Sequence, residues 1–393
     1  MTLTEITLAL GIEKYPPQLE EIYKKPLPVS ICDEKNILSL DKEYGLLGEY
    51  KEPLSECLKL VRENDALRIY GDVVASFMTL TDRDGIAGVK LPHFDEDNVL
   101  RFYPLLILLA ALPYGIKEYR RRGFSPDEIY STLHPSFTAR ISLAERINKK
   151  QGLDSAAFGW LRLYAMANVF PAGCFNITPK YYSDYAIFLK NVNTGMVVAL
   201  ATQGVFHKSG APLGAAGLTS ADGSFEVIFT EDDEAFFGHP ATESYISPEP
   251  KRFSKSEWQV FLRSGDAICG LHIPRGANLS DKSVEESLAL SMKIMRERYP
   301  EFDAKAIYCF SWMLDPEIKE LLGDESKLSK FGSRFVRFPK KCDGSSVFTF
   351  VFPGKPESFE SLPEDTTLQR KLKALYIDGG FIRLFGGVIP NEY

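Results

Sequence analysis

The sequence contains few of the residues that bind metal ions or form disulfide bonds. Its 393 residues include six cysteines and five histidines, and no two cysteines stand in a Cys-x-x-Cys spacing. Metal centres and disulfide frameworks usually show recognisable spacings of these residues. We therefore expect a reduced protein without a metal site.

An excess of positive charge and a long hydrophobic run are also missing. The net charge is −7, whereas a protein that binds a nucleic-acid backbone needs a basic face. The longest apolar run lies between Pro104 and Pro113, well short of the ~20 residues that span a bilayer. The first residues lack the basic head of a signal peptide. These features predict a cytoplasmic protein that binds neither nucleic acid nor membrane.

The composition itself is that of a globular protein, with 45% hydrophobic and 25% charged residues. The chain is too long to pack around a single hydrophobic core, so two domains are expected. Apolar residues recur at helical spacing in the first part and alternate along short runs in the second part. We predict an α/β (α+β) chain with a helical domain at residues 1–150 and a mixed-sheet domain at residues 151–393.

Residues 266–322 have the pattern of a βαβ unit. Apolar, strand-like runs at residues 266–273 and 306–313 enclose a helical pattern that begins near Asp281 and stops at Pro300. Strands joined in this way are usually parallel and buried. A ligand of such a unit lies beyond the carboxyl ends of the strands, near the N-terminus of the helix. Any chemistry is therefore expected here, within a mostly antiparallel sheet that contains one parallel pair.

Two segments outside this unit have simpler interpretations. Residues 231–257 are rich in proline, serine and acidic residues, which is typical of a functional lid or a mobile insertion. Residues 346–352 are apolar and aromatic and predict a strand, followed by a helix at residues 367–377.

Three separated motifs resemble those of a bacterial family of two-domain GNAT-like acyltransferases. They read Gly265-Asp-Ala-Ile-Cys-Gly-Leu-His-Ile-Pro-Arg-Gly276, Cys309-Phe-Ser-Trp-Met-Leu-Asp-Pro316 and Leu362-Pro-Glu-Asp-Thr-Thr-Leu-Gln-Arg370. Members of this family join a helical N-acyltransferase N-terminal domain to a GNAT-like C-terminal domain. The resemblance implies that acetyl-CoA or another acyl-CoA is held where two parallel strands diverge. It also implies a small-molecule amine or peptide as the acceptor.

The resemblance makes the loop after the first strand of the βαβ unit the cofactor-binding segment. A helix that begins at residues 280–283 offers backbone N–H groups and a positive dipole end to a pyrophosphate. Ordinary GNAT enzymes carry Arg/Gln-x-x-Gly-x-Gly/Ala at this place, and residues 275–279 lack the second glycine. The predicted cofactor-binding residues are Ile273, Arg275, Gly276, Ala277, Asn278, Ser280 and Lys282.

Transfer of an acyl group from a thioester to an amine needs a base and a proton for the leaving thiolate. His272 ends the first strand on the same face as Ile268 and Gly270 by alternation, and the ordinary imidazole pKa of about 6.5 suits a base. Ser311 shares a face of the second strand with Cys309 and is placed to donate to a bound thioester or thiolate. The predicted catalytic residues are His272 and Ser311.

Structural roles for these residues are open alternatives. His272 could form hydrogen bonds that fix the turn at Pro274, and Asp315 needs no role beyond that of a helix N-cap. Two interpretations of the chain follow. One is an acyl-CoA-dependent N-acyltransferase that moves an acetyl group to an amine, and the other is a non-catalytic CoA- or small-molecule-binding module. His272 and Ser311 favour the enzyme, which we adopt, whereas the altered loop favours the module.

Overall fold

The computed structural model describes residues 1–80, 88–95, 98–148, 152–153, 155–218, 220–352 and 354–390. The chain divides into two compact units, Met1–Phe170 and Pro171–Tyr393, which are described separately. The predicted boundary between residues 150 and 151 lies outside the described residues and stays a prediction.

The first unit is helical, as its periodicity predicted. The helix Val99–Arg121 has the length and the mean hydropathy, 1.8, of a candidate membrane span, but 72% of its 18-residue window is buried inside the structure. That burial is the property of a core helix. The α-helices of this unit are α1 (Leu3–Ala9), α2 (Gln18–Lys24), α3 (Glu34–Tyr44), α4 (Lys51–Glu63), α5 (Asp65–Leu80), α6 (Tyr103–Arg121), α7 (Pro126–Asn148) and α8 (Ser155–Ala165).

Helices α6 and α8 approach each other closely because a glycine stands at their contact. A Cβ atom added to Gly115 would lie 1.6 Å from the carbonyl oxygen of Ala165, so a larger residue does not fit. The buried hydroxyl of Tyr119, one turn later, lies 3.0 Å from the carbonyl oxygen of Tyr164 and 3.1 Å from that of Val169. These contacts fix the end of α8 against α6.

The described residues of the second unit form two larger sheets with helices. The main sheet has six strands in the order β1-β2-β12-β13-β15-β14, and the second has seven, with β10-β8-β4-β3-β11 in one row and β7 and β9 pairing with β8. Strands β12 and β13 are parallel, whereas β2–β12, β13–β15 and β14–β15 are antiparallel. The predicted sheet with one parallel pair is therefore confirmed.

The elements of this unit have the following bounds. The strands are β1 (Phe170–Ala172), β2 (Phe175–Tyr181), β3 (Ala186–Asn191), β4 (Val197–Ala201), β5 (Val205–Phe206), β6 (Phe225–Glu226), β7 (Thr230–Glu231), β8 (Ala235–Thr242), β9 (Tyr245–Ile246), β10 (Lys251–Ser254), β11 (Trp258–Leu262), β12 (Ala267–His272), β13 (Ala306–Ser311), β14 (Val336–Lys340) and β15 (Leu384–Pro390). The helices are α9 (Asp281–Arg298), α10 (Glu317–Leu322), α11 (Lys327–Ser333), α12 (Ser345–Phe350) and α13 (Thr367–Ile377).

Alternation of side chains gives the main sheet two faces. Gly270 is paired with Tyr308 across the parallel strands, so these two residues share a face. Face A is defined by Ile268, Gly270 and His272 of β12 with Tyr308 and Phe310 of β13. Face B is defined by Cys269 and Leu271 of β12 with Cys309 and Ser311 of β13.

Different layers cover the two faces. On face A, Ile268 and Tyr308 are buried in one core with Phe188 of the second sheet. On face B, the ring centroid of Phe175 in β2 lies 5.7 Å from that of Phe331 in α11. Helix α11 contacts α9, and Lys330 of α11 lies 4.0 Å from Asp281 of α9, so the two helices belong to the same layer. The main sheet is therefore the middle layer of the unit.

The interpretation of residues 231–257 as a lid or a mobile insertion is wrong. This segment supplies β8, β9 and β10 of the second sheet. Its acidic residues form tight turns: the Asp232 carboxylate accepts hydrogen bonds at 2.8 Å from the backbone N–H groups of both Glu234 and Ala235. Side-chain-capped turns of this kind separate short strands and give a polar composition without a lid.

The predicted strand at residues 346–352 is also wrong. Residues Ser345–Phe350 form the short helix α12. Val347, Phe348 and Phe352 are buried in one aromatic core with Tyr376 of α13. Tertiary packing here overrides the strand propensity of the aromatic and branched residues. The helix predicted at residues 367–377 is confirmed.

Gly173, in the turn between β1 and β2, is a point of close contact between the sheet and α9. Its φ is +64°, and an added Cβ would lie 2.2 Å from the Ser287 hydroxyl oxygen, which accepts the Cys174 N–H at 2.9 Å. We expect Gly173→Ala to lower the free energy of unfolding by ~2–4 kcal/mol, through left-handed strain and overpacking. Urea denaturation measures this change.

Gly195→Ala is the matched control for this variant. Its φ is +74°, but the nearest atom to an added Cβ is 4.0 Å away, so only the backbone strain of ~1–2 kcal/mol applies. Equal losses in the two variants would contradict the contact between Gly173 and α9.

Candidate functional site

The parallel strands β12 and β13 pair over part of their length and then diverge. Pairing joins Cys269 to Ile307 and Gly270 to Tyr308. Beyond this row, β12 continues to pair with β2 as far as His272, and β13 with β15 as far as Ser311. Each strand thus stays paired with its other neighbour, β2 or β15, whereas the pairing between β12 and β13 ends at Gly270–Tyr308. The gap between them suits an extended ligand with amide groups.

The loop after β12 turns tightly into the N-terminus of α9. The Ala277 N–H donates to the Pro274 carbonyl at 3.1 Å, and Gly276 has a φ of +79°, a conformation that glycine adopts without strain. Ser280 is the N-cap of α9, and within the described residues its side chain makes no capping hydrogen bond. The N–H groups of the first turn are therefore available to an anion.

The seven predicted cofactor-binding residues lie together on this loop and helix start. Arg275, Gly276 and Asn278 are exposed, and Ile273, Ala277 and Ser280 are half-buried. The Lys282 side chain is 85% exposed, with its ammonium 3.9 Å from Glu286. Their placement is compatible with ligand binding, and their role stays a prediction.

Two further cations reach this helix N-terminus, and no local sequence pattern indicated them. Arg334 donates to Asp281 at 3.1 Å and also pairs with Glu285. The Lys330 ammonium lies 4.0 Å from the Asp281 carboxylate. Lys330 lies in α11, and Arg334 is the C-cap residue of that helix. Both follow the start of α9 by about 50 residues in the sequence. They offset the two acidic residues of α9, so the charge near its N-terminus is less negative than the local sequence suggests.

His272 closes β12 on face A, where it pairs with Asn176 of β2. The residue is half-buried, and its Nε2 atom is shielded from solvent. The predicted common face of His272, Gly270 and Ile268 is confirmed by this register. The side chain therefore lies on the face of the sheet that Tyr308 shares.

Ser311 lies on the opposite face, so the two predicted catalytic residues are not brought together on one side of the sheet. Its hydroxyl oxygen accepts the Met313 N–H at 3.1 Å and caps the 3-10 turn Trp312–Leu314. A serine hydroxyl that accepts one bond still has its own proton to donate.

A partly buried polar cluster on face A was not predicted from the sequence. The Tyr308 hydroxyl donates to the Asp184 carboxylate. The Lys340 ammonium lies 2.8 Å from that carboxylate and 3.3 Å from the Tyr308 hydroxyl. Burial and the Asp184 charge raise the pKa of Tyr308 well above its usual value, so the phenol keeps its proton. These residues are 32 to 156 positions apart, so no local spacing could have revealed the cluster.

Cysteine and metal chemistry find no support in the described ranges. Cys269 and Cys309 are buried on face B, and burial raises the pKa of Cys309 to about 12. A thiol with a raised pKa is a poor nucleophile at neutral pH. Among the residues that the structure describes, no group of three or more histidine, cysteine or acidic side chains is arranged to hold a metal ion.

Asp315 was predicted as the N-cap of α10, but the N-cap is Pro316 and Asp315 lies one residue before it. Its carboxylate accepts the Glu317 N–H at 3.0 Å and the Arg383 N–H at 2.6 Å. The residue is buried, and this burial raises its pKa to about 6. The carboxylate thus fixes the start of α10 against the residue that precedes β15.

The raised pKa of Asp315 predicts a pH dependence of stability. The ordinary pKa is 3.8 and the folded value about 6, so the folded state binds the proton more tightly. The stabilisation from Asp315 is complete below about pH 4 and is lost as the pH rises through 6, by up to ~3 kcal/mol. Asp315→Asn cannot ionise, so the stability advantage of wild type over this variant should shrink between pH 4 and pH 7.

Urea denaturation at pH 4, 5, 6 and 7 measures this difference. Asp222→Asn, at an exposed acidic residue, is the control and should show an almost constant difference. An advantage of wild type over Asp315→Asn that grows with pH would show that the buried carboxylate is stabilised as an anion instead.

Comparison with known proteins supports the fold. Residues 216–389 match the family described as the GNAT-like C-terminal domain. No curated protein sequence matches the chain. Similar solved structures include a mutant acyltransferase in complex with octanoyl-CoA, with a TM-score of 0.67 and 16% identity over 99% of both chains. An acyltransferase in complex with decanoyl-CoA has a TM-score of 0.66 and 15% identity over 99% of both chains.

A third similar structure is an acyltransferase in complex with CoA and 10C-teicoplanin, with a TM-score of 0.64 and 16% identity over 99% of both chains. These likenesses cover the helical unit and the mixed-sheet unit together, so the predicted fold class is confirmed. The chain therefore has the fold of these solved acyltransferases, and its residues 216–389 match the GNAT-like C-terminal domain.

Proposed function

We propose that this protein is an acyl-CoA-dependent acyltransferase that moves an acyl group, acetyl in our proposal, to the amine of a small molecule or peptide. The observation that carries the proposal is the divergence of β12 and β13 next to the N-terminus of α9. Structures with the same fold are described as complexes with CoA, octanoyl-CoA and decanoyl-CoA. Two of them also contain a teicoplanin, a molecule outside the classes of nucleic acid and membrane lipid.

The gap between the strands fits the pantetheine arm of CoA. Its two amide groups can pair with the strand edges beyond the Gly270–Tyr308 row, as an added strand does. Its pyrophosphate then reaches the first turn of α9, where N–H groups and the helix dipole favour an anion. Arg334 and Lys330 support this arrangement because they offset Asp281.

The two faces of the sheet then have different chemical roles. Helix α9 belongs to the layer on face B, so the phosphates of CoA lie on that side. The acyl group passes the gap toward face A, where His272 lies. We assign to His272 the removal of a proton from the acceptor amine. On face B, Ser311 is placed to protonate the departing thiolate of CoA.

The reaction follows from these positions. The neutral amine attacks the thioester carbonyl and forms a carbon–nitrogen bond, while its proton goes to His272. The tetrahedral intermediate collapses, the carbon–sulfur bond breaks, and the departing thiolate takes a proton from Ser311. Solvent then returns a proton to Ser311 and accepts the proton held by His272. The products are an amide and free CoA.

A second candidate function rests on one observation. The loop at residues 275–279 lacks the second glycine of ordinary GNAT enzymes, which favours a module that binds CoA or a small molecule without catalysis. Such a module would bind CoA and would not release it as a product of acyl transfer.

Calorimetric titration with acetyl-CoA tests the cofactor. We expect a dissociation constant between ~1 μM and ~1 mM, the range typical of enzyme–substrate pairs. Arg334→Met should weaken binding ~5- to 10-fold, because it leaves Asp281 without its closest cation. Arg263→Met, at a surface arginine paired with Glu231, is the matched control and should bind as wild type does. The absence of both heat and a thermal shift at millimolar ligand would overturn the proposal.

A second experiment tests the base. His272→Ala should lower the rate of CoA release in the presence of amine acceptors by ~10²–10⁴-fold and leave acetyl-CoA affinity unchanged. If His272 is the base, only its neutral imidazole accepts the amine proton, so the wild-type rate should rise as the pH is raised. His207→Ala is the control, since the His207 ring forms hydrogen bonds with its neighbour Ser209 and has no part in the proposed reaction.

Two outcomes would separate the alternatives for His272. A variant that melts at lower temperature and keeps most of its activity per folded molecule would give His272 a structural role. Tight CoA binding by wild type without turnover of any amine would favour the binding module. Ser311→Ala should slow release of the thiol without changing the pH dependence that His272 confers.

A further inference from the structure

Tyr308 stands on face A in the last paired row before β12 and β13 diverge. Its side chain is buried, with 3% exposure. In the proposed enzyme, an acyl group that leaves the gap toward face A passes Phe310 and His272 and then meets the Tyr308 ring, whose centroid lies 6.5 Å from that of Phe310. The volume that Tyr308 fills therefore bears directly on the acyl groups that the protein accepts.

Aromatic rings fill the interior around Tyr308. Its ring packs edge-on against Tyr182, with the centroids 5.5 Å apart, and Tyr182 packs in the same manner against Phe188 at 6.0 Å. The ammonium of Lys180 lies 4.8 Å from the centroid of the Tyr308 ring. Behind the row of divergence, the space between the two sheets is therefore filled by side chains.

The Tyr308 ring is also fixed in place by its hydroxyl. The hydroxyl donates to Asp184, and Asp184 is held in turn by Lys340. Rotation of the ring away from the gap would leave the O–H group without its acceptor and would disturb the Asp184–Lys340 ion pair. Both changes cost free energy where water is largely excluded. The ring is a fixed wall and not a mobile gate.

The other residue of this pair, Gly270 of β12, also has little free space around it on face A. Gly270 pairs with Tyr308, and a Cβ at Gly270 would lie 2.7 Å from the Thr178 methyl group. A chain of many methylene groups cannot pass on the Gly270 side without moving Thr178. Both members of the row thus limit the space on face A.

We propose that Tyr308 determines acyl-chain length, restricting the protein to short acyl groups such as acetyl. This inference rests on the proposed function, since it concerns the same acyl-CoA site. Structures of the same fold are described with octanoyl-CoA and decanoyl-CoA, so the backbone arrangement itself is compatible with long chains. Side chains that fill the row, and Tyr308 first among them, would impose the restriction.

Calorimetry with acetyl-CoA, octanoyl-CoA and free CoA tests this without knowledge of the acceptor. Wild type should bind acetyl-CoA at least ~10-fold more tightly than octanoyl-CoA. Tyr308→Ala should remove this preference, with octanoyl-CoA binding at least ~10-fold more tightly than to wild type, because each newly buried methylene adds ~4-fold in affinity. The affinity for acetyl-CoA should change by less than ~3-fold, since the pantetheine and phosphate contacts remain.

Two control variants distinguish the effect of removing the Tyr308 ring from the effects of other changes in the same core. Tyr308→Phe keeps the ring and removes the hydroxyl, so it should keep the preference for acetyl-CoA. Phe188→Leu opens space in the same core but away from the row of divergence, so it should also keep that preference. Tyr308→Leu removes less volume than the alanine variant and serves if thermal melting shows that Tyr308→Ala does not fold.

The inference is overturned if wild type binds octanoyl-CoA as tightly as acetyl-CoA, whether or not any variant folds. It is also overturned if a folded Tyr308→Ala or Tyr308→Leu protein leaves the ratio of the two affinities within twofold of wild type. Both results leave the proposed acyl-CoA function intact. Failure of wild type to bind CoA in any form overturns the proposed function and this inference together.

Discussion

The early end of the parallel ladder between β12 and β13 is the constraint on which the candidate site depends. Backbone N–H and C=O groups inside a protein need hydrogen-bond partners, and each strand obtains them on its outer side from β2 or β15. On the inner side the ladder stops at Gly270–Tyr308. The groups beyond that row must be satisfied by water or by a ligand. In the proposed function, the amide groups of an extended ligand pair with the strand edges at this place.

The layers that cover the main sheet make the two sides of this gap chemically different. Helix α9 is fixed to face B through the contact of Ser287 with Gly173 and Cys174, so its N-terminus stays beside the gap. The second sheet fills face A with aromatic side chains. A charged group is therefore favoured on one side of the sheet and an apolar or reacting group on the other. The opposite placement of Ser311 and His272 follows from this division and suits two different proton transfers.

Local sequence patterns, such as helix caps and changes of periodicity, correctly predicted the helices and strands whose ends they mark. Helix α13 begins at Thr366 with a capping box, and its predicted bounds were confirmed. The βαβ unit was found because apolar residues change from alternation to helical spacing and back within it. In contrast, the short strands at residues 231–257 carry acidic turns and a proline, and the helix α12 is held by an aromatic core. Their conformation depends on distant residues that no local pattern contains.

The same distinction explains what could be predicted of the site. The face of His272 along β12 follows from alternation, but its relation to Ser311 requires the register between strands. The cluster of Tyr308, Asp184 and Lys340 requires the second sheet to be in place. Composition and spacing report local geometry, whereas sites of this kind are assembled from contacts between elements far apart in the chain.

The net charge of −7 does not argue against an anionic cofactor, because charge acts over short distances. At physiological salt the Debye length is ~8 Å, so the charges that matter at α9 are those in direct contact with its first turn. There, Arg334 and Lys330 face Asp281 and Glu285, and Lys330 also pairs with Glu325 at 2.8 Å, so the local balance is slightly negative. Binding of a pyrophosphate would then depend mainly on backbone N–H groups and the helix dipole, which act over short range. An acidic protein can hold a polyanion in this way with little long-range attraction, and the affinity should consequently vary only weakly with salt.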